Sequence, residues 1–138
     1  MLVLVDTPVW SLTLRRTVTD LNSTERLLTD ALRNLIHDGR ARLIGPVRQE
    51  LLSGIRQEST FINLRDHLQA FDEPTLEIAD YEEAANAHNR CRSRGIAGSP
   101  TDFLICAVAL RRDWQIFTVD RDFAFYSRIV RVKLYKLN

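Results

Sequence analysis

The sequence predicts a three-layer α/β/α domain around a central, mainly parallel sheet. Three observations carry that reading. Short apolar runs alternate with longer stretches of helical periodicity, the βαβ-like rhythm of a parallel sheet covered on both faces. Pro8, Pro46 and Pro100 stand at first-turn positions of expected helices, where a missing N–H costs nothing. The expected strands end in acids or lead into helices that carry them: Asp6, Glu50, Asp102 and Asp120.

Element by element, Leu2 to Asp6 reads as a first buried strand, followed by a short helix with Pro8 near its start. A second helix begins near Asn22, with Glu25 three residues later as a capping-box variant. Its stripe of Leu28, Ala31, Leu32, Leu35 and Ile36 has helical spacing, and Asp38-Gly39 ends it. Ala41 to Ile44 is a short strand, and Pro46 opens the helix bearing Glu50. From about Ser59 to Arg94 the chain reads as two helices broken at Asp72-Glu73-Pro74, with a short strand over Thr75 to Ile78. Gly95 to Gly98 is a loop, and Pro100 opens a very apolar helix to about Arg112. Ile116 to Val119 and Val130 to Tyr135 are the last expected strands.

At 138 residues the chain fits a single domain, 1–138, able to bury a core without disulfides or a structural metal. No apolar run approaches a membrane span, and Leu2 to Val5 is too short for a signal-peptide core, so a cytoplasmic location is expected. Cys91 and Cys106 lack the spacing of a metal knuckle or redox pair, and Cys106 reads as a small core residue. His37, His67 and His88 are scattered, which gives no support to a zinc site or a histidine triad. The net charge of +1 rules out a global polycation, although 17 of the 19 basic residues are Arg, the side chain whose planar fork suits phosphate.

Each acid has a local explanation. Asp6 could cap the next helix, Glu50 could be an exposed helix residue, and Asp120-Arg121-Asp122 is a natural turn. Ser99-Pro100-Thr101-Asp102 fits a capping box. Yet the fold would bring all four to one rim, two at strand ends and two in the first turns of helices, where ligands bind open parallel sheets. Carboxylates gathered there repel one another unless a cation intervenes, and a hard divalent ion with oxygen ligands is the simplest candidate.

Four segments, in order, now suggest a family. They are Leu2-Val3-Leu4-Val5-Asp6-Thr7-Pro8-Val9-Trp10 with Leu14-Arg15 beyond it, Pro46 to Leu52 around Glu50, Ser99 to Ala107 around Asp102, and Phe117 to Phe123 around Asp120. Together they span nearly the whole chain and resemble PIN-domain ribonucleases, most closely the VapC toxins of VapBC toxin–antitoxin modules. One departure is Pro8, where the family commonly has Ser after the Asp-Thr pair, so a hydroxyl and a backbone donor are lost there.

The resemblance implies a PIN-like fold and an endoribonuclease dependent on Mg²⁺ or Mn²⁺. It makes Asp6, Asp102 and Asp120 ligands, direct or through water. Glu50 is more peripheral, a water-mediated ligand or an orienting group for the nucleophile, and Asp122 is left open as a supplement to Asp120 or its replacement. Thr7 and Thr118 would orient the carboxylates. It further implies RNA as substrate, a homodimer, and inhibition by a VapB-like antitoxin whose C-terminal segment crosses the active-site groove. Trp10, Leu14, Phe61 and Leu64 are candidates to line that groove, although core packing is the expected role for most of them. Three rivals remain: a housekeeping PIN nuclease without antitoxin, a non-enzymatic α/β binding module such as a receiver domain, and a degenerate PIN scaffold, which the four intact acids argue against. The receiver is disfavoured because the only lysines are Lys133 and Lys136.

Overall fold

The first apolar run forms β1 (Val3–Val5), every residue of which is fully buried, as a central parallel strand requires. The structure, a computed structural model, describes residues 1–15 and 18–137. β1 pairs in parallel with β2 (Ala41–Arg42) on one side and with β3 (Gln115–Phe117) on the other, so that Val3 lies opposite both Ala41 and Gln115. β4 (Lys133–Leu134) joins β3, giving a four-stranded, wholly parallel sheet of order β2-β1-β3-β4. The chain steps from β1 to one flank and later adds β3 on the other. The order therefore reverses between β1 and β3, and the crevice beyond their carboxyl ends is where an open α/β sheet binds its ligand.

Helices cover the sheet. α1 (Thr7–Arg15) starts immediately after β1, its first backbone donors, on Val9 and Trp10, reaching back to the Asp6 carbonyl at 3.2 and 3.3 Å. Trp10 fixes this entry. Its indole is fully buried, donates to the Val5 carbonyl at 3.0 Å and meets the edge of Phe71 at 4.8 Å. A 3₁₀ turn at Val18–Asp20 leads to α2 (Ser23–His37), whose Asn22–Glu25 capping box is complete, with bonds of 2.8 and 3.1 Å. Gly39, at φ +70°, turns the chain into β2 in a conformation that favours glycine.

α3 (Gly45–Leu52), α4 (Glu58–Leu68) and α5 (Ile78–Ser93) follow. α6 (Pro100–Arg112) is buried without interruption from Phe103 to Ala109, so it is the helix driven deepest into the core. Ser99 caps it, accepting the Asp102 N–H at 3.1 Å. α7 (Asp122–Val130) closes the crossover from β3 to β4. Both cysteines are buried free thiols, in keeping with a packing role. Among the described residues no helix is long and apolar enough to cross a membrane.

Several expectations are corrected. Thr75–Ile78 is not a strand. The Glu77 N–H donates to Asp80 Oδ2 at 2.8 Å, which starts α5 at Ile78 and leaves that side chain 80% exposed. The stretch Val130–Tyr135 yields only Lys133–Leu134 as strand, because α7, a helix not expected from the sequence, runs to Val130 and ends at Arg131 with φ +60°. The other strands are shorter than expected: β1 lacks Leu2 and Asp6, β2 stops at Arg42, and β3 ends at Phe117 rather than Val119.

Candidate active site

Asp6 sits just beyond β1, at the reversal of strand order. Its N–H donates to the Phe117 carbonyl at 2.9 Å, extending the β1–β3 ladder past both strand ends and bringing Asp6 beside Thr118. Both carboxylate oxygens are engaged: Oδ1 accepts the Thr7 N–H and Oδ2 the Thr118 hydroxyl, each at 2.8 Å. The Thr118 oxygen in turn accepts the Asp120 N–H at 3.0 Å, and the Thr7 hydroxyl donates to Glu50 Oε2 at 2.7 Å. A continuous chain thus runs Glu50–Thr7–Asp6–Thr118–Asp120. It ties three of the four acids together through the two threonines expected to orient them.

Two placements differ from expectation. Glu50 is the sixth residue of α3, so it lies in the second turn rather than the first, and the Thr7 hydroxyl rather than a helix terminus holds it. Asp120 does not close β3; it lies three residues beyond its end, and its Oδ1 accepts the Asp122 N–H at 2.9 Å. Asp122 therefore contacts Asp120 through its backbone, at the first residue of α7.

Asp102, in the first turn of α6, belongs to a second cluster. Its Oδ2 accepts the Tyr126 hydroxyl at 2.9 Å. Tyr126 is fully buried between Phe103 and Phe123, with ring centroids 5.0 and 5.1 Å away. No local pattern in the sequence points to it, because the pair joins residues 24 apart through the unexpected α7.

The electrostatics link the two clusters. Burial pushes the Asp6 carboxyl up to about 6; hydrogen bonds from Thr118 and Thr7 oppose this, and the charges of Asp102 and Asp120 add to it. Burial likewise raises Asp102, against hydrogen bonds from Tyr126 and Ser99, with Asp120 contributing repulsion. Burial, then its bond to Asp102, holds the Tyr126 phenol well above its usual range. Among the described residues none of Asp6, Glu50, Asp102 or Asp120 has a basic side chain within ion-pair distance. Asp80 is the contrast, since Arg111 and Arg112 both contact it at 2.7 Å.

Among the described residues no three Asp, Glu, His or Cys side chains converge closely enough to enclose a metal ion by themselves. The acids are all oxygen donors and Asp6, Asp102 and Asp120 repel one another, which is the donor chemistry of a hard divalent ion such as Mg²⁺, an ion that keeps several waters and takes one or two carboxylates.

Of the four apolar groove candidates, Trp10 and Leu64 are buried in the core, the role expected for most of them. Leu14 and Leu64 line a depression of about 290 Å³ with Arg15, Ile55, Thr60, Asn63 and His67, between α1 and α4. Phe61 is half-buried on α4 and is not among the lining residues.

Thr118 offers a direct check on the network. Thr118→Val keeps the side-chain shape but removes one donor from Asp6 and one acceptor from the Asp120 N–H. It should lower unfolding free energy by about 1–3 kcal/mol, the usual cost of stranding a partly buried polar group. Urea unfolding measures it, and an unchanged midpoint would mean the network is not formed in solution.

Comparison with known proteins bears on the family and the fold. Residues 3–129 match the PIN domain family. The chain is 26% identical over 136 residues to a VapC ribonuclease of Mycobacterium bovis and to ribonuclease VapC11 of Mycobacterium tuberculosis, covering 96% of either chain. In fold it resembles VapBC2 from Rickettsia felis bound to a promoter DNA fragment, with TM-score 0.76, 15% identity and full coverage of both chains. It also resembles FitAcB from Neisseria gonorrhoeae, with TM-score 0.73, 17% identity and coverage of 98% and 97%.

Proposed function

The chain belongs to the PIN domain family, and on that premise we propose that it is a metal-dependent endoribonuclease, the toxin of a toxin–antitoxin pair. The observation that carries the reading is the set of four acids at the strand-order reversal. Threonine hydroxyls hold the carboxylates of Asp6 and Glu50, Thr118 also accepts the Asp120 backbone N–H, and no basic side chain among the described residues lies within ion-pair distance of any of the four. The relatives named VapC ribonuclease, similar over almost their whole length, support the choice of RNA as substrate.

In this reading Asp6, Asp102 and Asp120 hold Mg²⁺ or Mn²⁺, directly or through water, with Glu50 outside them and Asp122 as a supplement. A bound ion would supply an activated water in line with the scissile phosphate and offset charge on the departing oxygen. The protein's part is orientation. Asp6 has both oxygens fixed, so its carboxylate meets a ligand in one pose. Glu50, tethered by Thr7 and more exposed, is placed to orient a water. Pro8, in α1, supplies no hydroxyl, so of these two neighbours of Asp6 it is Thr7 whose side chain donates, to Glu50.

An antitoxin segment fits the depression between α1 and α4, whose Leu14, Ile55 and Leu64 would receive apolar side chains. A Lys or Arg from the same segment would neutralise the acids as a cation does. A homodimer and a cytoplasmic site of action complete the proposal.

The test is cleavage of total RNA and folded tRNA by the purified, antitoxin-free chain in Mg²⁺, in Mn²⁺ and in excess EDTA. Discrete cuts should appear with metal, disappear with EDTA and return when Mn²⁺ is restored. Cutting that persists in EDTA would sink the metal-dependent reading. Failure to co-purify with the product of a neighbouring gene would remove the antitoxin and leave an RNA-processing nuclease.

A further inference from the structure

We infer that Tyr126, seated against Gly98, is a positioning residue that fixes the carboxylate of Asp102 for its ligand. This rests on the reading of Asp102 as a metal-site acid and adds to it the group that aims that acid.

The ring of Tyr126 cannot drift. It is fully buried and wedged between Phe103 and Phe123, and Phe103 is itself met edge-on by His88 at 5.1 Å. A phenol has one proton to donate, and two acceptors compete for it: Asp102 Oδ2 at 2.9 Å and the Ala97 carbonyl at 3.5 Å. The shorter contact, to a carboxylate, takes the proton, since charge-assisted bonds are the stronger kind and 3.5 Å is at the edge of bonding range. Packing alone would be served by Phe, so the hydroxyl adds one thing, a tether on one oxygen of Asp102.

Gly98 shows how closely that tether is built. A Cβ added there would collide with the Tyr126 hydroxyl and come within 2.9 Å of two Phe103 ring carbons. The loop before α6 thus leaves room for the phenol and for nothing more. Partners that orient a ligating side chain act through it, and losing one typically weakens metal affinity by 10- to 100-fold, about 10-fold at the gentle end.

The experiment measures Mn²⁺ binding to the RNA-free chain, by the EPR signal of free Mn²⁺, beside thermal melting and RNA cleavage across a Mn²⁺ series. Tyr126→Phe keeps the ring and removes only the tether. It should bind Mn²⁺ about 10-fold more weakly, melt modestly lower for the lost bond to Asp102, and recover cleavage as Mn²⁺ is raised. Gly98→Ala should weaken binding too, by displacing the hydroxyl, and should add less when made in the Tyr126→Phe background, because the two act on one contact. Should either variant melt lower, binding is read well below its midpoint, where folding is complete and the comparison still decides. Parent-like Mn²⁺ binding by Tyr126→Phe, alongside weakened binding by Asp102→Asn, overturns the positioning role alone. Parent-like binding by Asp102→Asn, or no binding by the parent, overturns the metal-site reading and this inference with it.

Discussion

Asp6→Asn is expected to reduce RNA cleavage by about 10³-fold while leaving the metal-free fold no less stable than the parent. The loss follows from the role proposed for the ion, worth several kcal/mol of transition-state stabilisation, when each ~1.4 kcal/mol is a factor of ten in rate. The retained fold follows from the hydrogen bonds. Asn can accept the Thr7 N–H through its carbonyl oxygen and turn its amide toward Thr118, whose hydroxyl oxygen has a lone pair to spare after accepting from Asp120. It also removes a carboxylate that is 5% exposed, pushed up to about 6 chiefly by burial, and further raised by Asp102 and Asp120. A neutral side chain in that position escapes both the desolvation and the repulsion. Activity and stability should therefore move in opposite directions, a pattern that misfolding cannot produce. Paired cleavage assays and thermal melts without metal would show it. Parent-like cleavage by the Asn variant would remove Asp6 from the site.

The fold and the arrangement of the candidate site are partly legible in the sequence. Residues whose placement depends on local chemistry can be read there: the strand at Val3–Val5, the Asn22 cap, the proline-led helices and the apolar character of α6. Thr7 and Thr118 stand out because each neighbours an acid or strand end in sequence. What escapes depends on contacts between distant segments. Thr75 and Ile78 suggest a strand by residue type, but the capping carboxylate of Asp80 makes a helix start instead. α7 has only nine residues, and the acids ahead of it read as a turn, so Tyr126 and its bond to Asp102 stay hidden. The grouping of four acids at one rim follows from topology. Their pairwise arrangement, a threonine-linked chain on one side and a tyrosine-held acid on the other, does not.

Asp80 is the other residue whose role only the fold discloses, and its removal should have the largest effect on stability. In sequence it is one acid among many between Asp72 and Glu83. In the structure it is fully buried at the start of α5, against the end of α6. Its Oδ1 accepts from Arg111 and Arg112 at 2.7 Å each; its Oδ2 accepts from Arg112 at 3.1 Å and from the Glu77 N–H at 2.8 Å. Arg112 also lies over the Trp114 ring at 5.7 Å, so the guanidinium is held on a face as well as by its fork. This knot ties α5 to α6, the helix whose other end carries Asp102. Asp80→Ala would leave the Glu77 N–H unbonded and two guanidiniums without their buried partner. Breaking a buried pair costs about 3–5 kcal/mol, and the partial exposure of both arginines brings the expected loss to about 2–4 kcal/mol. Against a typical total of about 5–15 kcal/mol, that approaches the margin of folding.

The same contact sets the acid response. The Arg112 hydrogen bonds, offset in part by burial and aided by Glu77 and Arg111, hold the Asp80 carboxyl well below the usual range. A carboxyl depressed in the folded state stabilises at pH values above its unfolded pKa, about 3.9, and that stability drains away as pH falls toward the folded value. Urea unfolding of the parent should therefore weaken progressively below about pH 4. Asp80→Asn should start lower at pH 7 and lose less over the same descent. Parallel pH curves for the two chains would show that this carboxylate does not hold α5 to α6 in solution.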